Sequence, residues 1–391
     1  MLLKNISVLY GNDLKYLGST NLPITDGKFG KLGQKSNKAI DCEGLLLVPG
    51  FVNMHTHIGD SIAKDATLAG SVDSKIHPVL GAKQRILRQS RPEHLVSFMK
   101  NACHSMIRKG ITTFVDFREG GPQGVALLQQ ALKDVPIRGI ILGRVESYQD
   151  KSQIRKNLLL SVESKKSLAG VLKNSDGIGI SGANENSDSS LKYYSKTKKI
   201  RAIHSSETKQ SIVLSKQMTK KTETERALLL KPHFLVHMTY AGMTDLKKAA
   251  KKTRGIVICP RANASLAEGI PNFEQMKNAG CTIGIGTDNV MINSPDMLRE
   301  MDYLWKAHMG LHQKRIDPKE ILQMATVNGG ILLGKKIGSI QPGFLADGIF
   351  LDKHSLDLEP MHNPYASIVH RASESAISAV MIGGKIIHGK L

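Results

Sequence analysis

Cysteine is scarce in this chain: four among 391 residues, and Cys42, Cys103, Cys259 and Cys281 form no C-x-x-C pair. That scatter argues against a disulfide framework and against a thiolate zinc site, so any metal must be held by histidine and carboxylate. Long apolar runs are also missing. No window approaches the ~18 residues that cross a bilayer, and the opening "MLLKNISVLYGNDL" lacks an apolar stretch followed by small residues. The expectation is a cytoplasmic protein with no membrane partner. Aromatics amount to only 5%, and no basic stretch is interleaved with them, which sets nucleic acid aside as a partner. Acidic residues are few for the basic ones: 34 Asp and Glu against 54 Lys and Arg, a net charge of +20. The densest basic groups, "KTKKIR" and "KKAAKKTR", read as solvated ends and outer faces of helices. An anionic small-molecule substrate, or plain solubility, accounts for the excess better than a polyanion does. A homo-oligomer is compatible with the sequence, which does not specify the number of subunits.

What is present is a globular composition, 41% hydrophobic with 36 glycines, enough for one large α/β domain or two smaller ones. Between Leu45 and Asn289 stand eight short apolar, β-branched runs: "LLLVPGFVNMH", "ITTFVDF", "IRGIILGRV", "GIGISG", "IRAIHS", "FLVHM", "GIVICP" and "TIGIGTD". Continuous runs of this kind suit parallel strands covered on both faces, and the spacers carry helix-period segments such as "PEHLVSFMKNACHSMIRK". Eight βα units close into a TIM-like (β/α)8 barrel, expected over 47–336. A doubly wound open sheet is the alternative, and the fourth run reads equally as a glycine-rich loop. Residues 1–46 and 337–391 carry short alternating segments with glycine turns, expected to be antiparallel and to form a small composite β-sandwich beside the barrel.

In such a barrel the active site lies at the C-terminal ends of the strands, so polar residues that close apolar runs are the ones to collect. Alternation along a strand puts His55 and His57 on one side of the first run. His204 closes the fifth run, His237 the sixth and Asp288 the eighth, and Glu207 follows His204 by three residues. Singly, each has an ordinary reading as a hydrogen-bonded core histidine or a turn aspartate. Together, imidazoles and one carboxylate converging on one mouth suit Zn2+ or Fe2+. His77, His94, His104 and His308 lie in helical or loop segments and read as structural. Arg118 and Glu119 follow the second run and Arg144 the third, where they either face substrate or pair with one another at the rim.

Six motifs, "PGFVNMHTH", "GITTFVDF", "HSSET", "LVHMTYAGMTDL", "CPRANASLAEGIPNFEQMKNAGCTIGIGTDN" and "GSIQPGFLADGIFLD", occur in an order that resembles the amidohydrolase superfamily. The resemblance is to its mononuclear branch, which includes guanine deaminase, S-adenosylhomocysteine deaminase and the triazine chlorohydrolases. It implies one divalent metal, Zn2+ first and Fe2+ second, with His55, His57, His204 and Asp288 as ligands. It further implies that Glu207 shuttles protons and His237 orients the hydroxide or polarises the reacting group. The chemistry stands without the likeness: a divalent metal brings the pKa of bound water towards neutrality, and one mobile carboxylic acid can protonate first a ring nitrogen and then the departing amine. Asp288 could accept the water's proton while remaining a ligand. The reaction expected is deamination of a purine, nucleoside, pterin or triazine type of heterocycle.

The binuclear, ring-opening branch needs a lysine at strand four, and "GIGISGANENS" has none, although Glu185 could supply a bridge. A non-catalytic basic scaffold would have lost ligands, and none is lost. The H-x-E and P-C-x-x-C pattern of the base-editing deaminases is missing. "IGDSIAKDATLAG" departs from the segment usual in the S-adenosylhomocysteine and guanine deaminases, so neither substrate is carried over.

Overall fold

A computed structural model describes residues 1–33, 38–66 and 81–391. Eight parallel strands follow in chain order: β1 (Phe51–His57), β2 (Ile111–Arg118), β3 (Arg138–Gly143), β4 (Gly177–Ile180), β5 (Ile200–Ser205), β6 (Phe234–His237), β7 (Ile256–Ile258) and β8, made of Ile283–Ile285 and Asp288–Asn289. Each pairs with the next. Asp288 and Asn289 pair with Thr56 and His57 of β1, which closes the circle. The closed barrel is therefore formed, and the open doubly wound sheet is not. One face of the strands, with Phe114, Ile141, Ile203, Leu235 and Ile283, packs in a cluster with helix residues such as Met99 and Leu128. The other, with Val52, Met54, Val115, Phe117, Leu142 and Val236, forms the second cluster.

The first apolar run is not one strand, as expected, but two. Leu45–Pro49 pairs antiparallel with Gly348–Asp352 and parallel with Leu2–Tyr10, so it belongs to the terminal sheet, and the barrel begins at Phe51 rather than 47. Gly50 marks the transfer: a Cβ there would meet the Thr112 side chain at 2.3 Å. A run apolar on both sides of that glycine carries no periodicity change that could announce the switch.

Both termini build one eight-stranded sheet with its own core of Leu3, Ile6, Val8, Phe350 and Met381. It is mixed rather than purely antiparallel, because Leu2–Tyr10 lies parallel to both Ala39–Asp41 and Leu45–Pro49. The fourth run is both things expected of it: a four-residue strand, then a 3-10 turn over Ala183–Glu185. The lysines of the two basic groups lie on helix surfaces and turns. Among the described residues no helix is long and apolar enough to cross a membrane, and all four cysteines are buried free thiols.

Candidate active site

Three local departures from regular backbone aim the site residues. In β1 the register against β2 slips between Asn53 and Thr56. A bulge of this kind adds a residue and changes which side the following residues face. Val52 and Met54 join the inner cluster, while His55, within the slip, meets the Phe117 ring edge-on at 4.4 Å between centroids. His237 and Asp288 take left-handed backbone, with φ of 71° and 58°, a conformation side chains rarely adopt and one often held at functional sites. Asn53 clamps β8 to β1, its amide donating to Thr287 Oγ1 at 2.7 Å and its oxygen accepting from Thr287 N at 3.0 Å. Gly286 permits the close approach: a Cβ there would stand 2.6 Å from His55 Cβ.

His55, His57, His204 and Asp288 come together, all buried. His55 Nε2 lies 3.1 Å from His204 Nε2 and 3.3 Å from Asp288 Oδ1. His57 Nε2 lies 3.4 Å from His204 Nε2 and 3.5 Å from Asp288 Oδ1. The outer nitrogen of His204 faces the Ile180 carbonyl at 3.0 Å, and that of His57 faces Glu119 Oε1 at 2.8 Å. With Nδ1 facing an acceptor in each ring, the tautomer that fits carries its proton on Nδ1 and leaves an Nε2 lone pair turned towards the other ring. Two lone pairs 3.4 Å apart repel; a cation between them removes the conflict. These spacings, 3.1 to 3.5 Å, are near the donor separations of about 3.3–3.4 Å that a small tetrahedral cation requires, and the potential ligand atoms fall into two overlapping groups, His55, His57 and His204, and His55, His237 and Asp288. Burial, first of all, pushes the His55 pKa down to about 3 and His204 well below the ordinary histidine value, so both rings are neutral donors. Burial alone would raise Asp288, but its hydrogen bond to His55 and the neighbouring imidazoles hold it far below the usual carboxylate range.

Beside this cluster Glu207 Oε1 lies 3.5 Å from His237 Nε2. Burial raises the Glu207 pKa against the opposing pull of His237, which suits a group that must take up and release a proton. Asn263 Oδ1, 3.3 Å from His237 Nδ1, orients that ring. The turn carrying Glu207 is held by Glu223, which accepts from Ser206 N at 2.8 Å and from Ser211 Oγ at 2.6 Å. Burial pushes Glu223 up to about 7.

His57, His204, Glu207, His237 and Asp288 line one cleft, together with Lys83, Arg144, Asn184, Glu185 and Glu223. Arg144 does face the cleft, and among the described residues its buried Nε has no hydrogen-bond partner. Arg118 and Glu119 do not line it. Arg118 donates through Nε to the Gly124 carbonyl at 3.1 Å and through Nη1 to Glu119 at 3.3 Å, and Glu119 turns to His57. Position 181, after β4, is a serine whose hydroxyl donates to Glu185 Oε2 at 3.1 Å. His94 and His104 are exposed on the helix Pro92–Arg108, and His308 is buried against Phe273; His77 lies outside the described residues.

Sequence reasoning missed Lys83, Asp60, Asn289, Asn263 and Glu223. Asp60 accepts from Asn289 Nδ2 at 2.7 Å and Met291 N at 2.9 Å, tying the turn after β1 to the end of β8. Asp60 sits in "HIGD" directly after His57, so it was the one of these with a local signal.

A closed barrel that gathers His55, His57, His204, His237 and Asp288 at the ends of its strands, beside the carboxyl group of Glu207, presents a candidate metal site. The chain belongs to the amidohydrolase family, which it matches over residues 46–387. It is 38% identical over 394 residues, 99% of each chain, to a Methanothermobacter thermautotrophicus protein that carries the provisional name aminohydrolase. It is 27% identical over 419 residues, 99% of this chain and 93% of the other, to the 5-methylthioadenosine/S-adenosylhomocysteine deaminase of Thermococcus sibiricus. Its fold superposes on the zinc complex of atrazine chlorohydrolase from Arthrobacter aurescens with a TM-score of 0.86, at 16% identity, over 99% of this chain and 95% of that one.

Proposed function

We propose that the chain is a metal-dependent hydrolase that deaminates an aminated N-heterocycle, releasing ammonia. One observation carries the reading: the Nε2 atoms of His57 and His204 face each other at 3.4 Å beside Asp288, in a cleft that Glu207 also lines. The deaminase name of the Thermococcus sibiricus relative supports the reaction type, and the donor set supports zinc before iron.

In this reading His55, His57, His204 and Asp288 hold one divalent cation. Such a cation, when bound, brings the pKa of a coordinated water towards neutrality. Glu207 receives the proton of the attacking water and delivers it to the ring nitrogen next to the carbon under attack. A second proton passes through the same carboxyl to the exocyclic amine, which leaves as ammonia while the ring carbon becomes a carbonyl. His237, oriented by Asn263, turns Nε2 towards Glu207 and stabilises negative charge that develops on the attacking oxygen. Asp288, kept ionised, is an additional acceptor for the water's proton.

Arg144 extends the proposal to an anionic substrate. Its unpartnered Nε on the cleft wall leaves donor capacity for a carboxylate or phosphate distant from the reacting ring. A cytoplasmic setting, supported by four free thiols, completes the reading.

The deciding experiment is a screen of aminated purines, pyrimidines, pterins and triazines against the zinc-loaded protein, read as ammonia release and compared with His55→Ala. Ring opening of a cyclic amide without ammonia release would replace deamination with the cyclic amidohydrolase reaction.

A further inference from the structure

His57 is the one member of the imidazole cluster whose outer nitrogen faces a carboxylate. Its Nδ1 lies 2.8 Å from Glu119 Oε1 and 3.1 Å from the Phe117 carbonyl. Glu119 is itself held on several sides. Lys83 Nζ lies 2.6 Å from Oε1, Arg118 Nη1 3.3 Å from Oε2 and Arg144 Nη2 3.9 Å from Oε1. The Glu119 and Lys83 side chains are each only 3% exposed. Lys83 continues to Asp60 Oδ2 at 3.4 Å, and Asp60 grips Asn289, the residue after Asp288. A buried chain of charged groups thus runs behind the site from His57 on β1 to the end of β8, through the helix Ala82–Gln89 that carries Lys83.

Burying a lysine and two carboxylates is costly, and such groups often contribute little or nothing net to stability. The arrangement is better explained by what it does to His57. A carboxylate accepting from Nδ1 fixes the proton there, sets the ring plane and makes Nε2 a stronger donor. We propose that Glu119, locked by Lys83, is a positioning residue that holds His57 in its ligating tautomer. In this role the Lys83–Asp60 link couples the two halves of the donor set, His57 and Asp288. The inference rests on the proposed metal-binding reading and adds to it two residues that are not ligands.

The test uses the full-length chain as wild type, Glu119→Gln, Lys83→Met and the double variant, each stripped and titrated with Zn2+ against a chelator. The Co2+-substituted forms are compared by visible absorption, and the metal-free forms by thermal unfolding. Glu119→Gln should weaken zinc binding by about 10- to 100-fold and alter the Co2+ spectrum. The double variant removes the closest ion pair together and leaves Asp60 and Arg118 their hydrogen bonds to Asn289, Met291 and Gly124, so its metal-free melting temperature should lie nearer that of wild type than the Glu119→Gln value does, with the same loss of affinity. It therefore supplies the measurement if the lone Glu119→Gln chain does not fold. Zinc affinity within twofold of wild type and an unchanged Co2+ spectrum in the double variant would overturn the positioning role alone. A folded wild type that takes up no metal would overturn the metal reading and this inference with it.

Discussion

Glu207 Oε1 stands 3.5 Å from His237 Nε2, and the His237 ring stacks on that of His204 with centroids 5.3 Å apart. In the proposed division of roles His55, His57, His204 and Asp288 hold the metal and Glu207 transfers protons, while His237 offers a ring nitrogen within 4.8 Å of ligand atoms of His55 and Asp288. Glu207→Gln should therefore retain the metal and lose turnover. A positioned acid–base group contributes ~10²–10⁴-fold, and one residue here serves more than one transfer, so a loss of several orders of magnitude in kcat is expected. Near-normal kcat in that variant would move the proton transfer to His237.

Four donor atoms converge and no lysine follows β4, where Ser181 stands, so purified protein should hold close to one transition metal per chain. His55→Ala and Asp288→Ala should lose it. Elemental analysis checks both statements: two stoichiometric metals, or a metal-free wild type that stays folded, would sink the mononuclear site.

The candidate ligands were readable because they sit at the ends of apolar runs, where a histidine or aspartate is conspicuous. What could not be read is how the ring is aimed. Strict alternation places His55 and His57 on one side of a strand, but the bulge between Asn53 and Thr56 decides which side that is. The left-handed φ of His237 and Asp288 has only a weak local cue, because Asp and His are enriched in that region yet occupy it in a small minority of positions. Lys83 was invisible for a different reason. The stretch "AKQRILRQ" has the polarity of a surface helix, and only tertiary closure against Glu119 and Asp60 buries its lysine. Likewise the transfer between sheets at Gly50 depends on the partner Gly348–Asp352, some three hundred residues away in the chain.

A pH effect should arise away from the cluster. Glu300 is fully buried and its pKa is pushed up to about 8 by burial, against the opposing pull of Arg261. Its folded-state value is above the ordinary 4.5, so the stability it contributes is complete below that pH and is lost as pH rises through about 8. At roughly 1.4 kcal/mol per pKa unit, the effect is of order a few kcal/mol. Glu300→Gln, which keeps an acceptor for the Arg261 backbone amide (3.2 Å), should flatten the fall in melting temperature between pH 5 and 9. Parallel curves for the variant and wild type would show that Glu300 does not carry this dependence.

The anionic substrate can be tested through two arginines that the structure treats differently. Arg144 lines the cleft with an unpartnered Nε, whereas Arg118 is spent on the Gly124 carbonyl and Glu119. A planar guanidinium on the wall of a cleft that holds a divalent cation suits a carboxylate or phosphate. Losing one charge-assisted contact costs about 1.5–3 kcal/mol, about ten- to a hundredfold in binding. Arg144→Met should therefore raise KM for a charged substrate by that factor and leave KM for its neutral analogue nearly unchanged, with the metal retained. Arg118→Met should affect charged and neutral substrates alike, because its lost contacts support Glu119 rather than a ligand. Steady-state kinetics on a matched pair of substrates reads both outcomes. Equal losses on the two substrates for Arg144→Met would assign that arginine to the Glu119 ion-pair network, and the +20 charge would then be a surface property with no part in specificity.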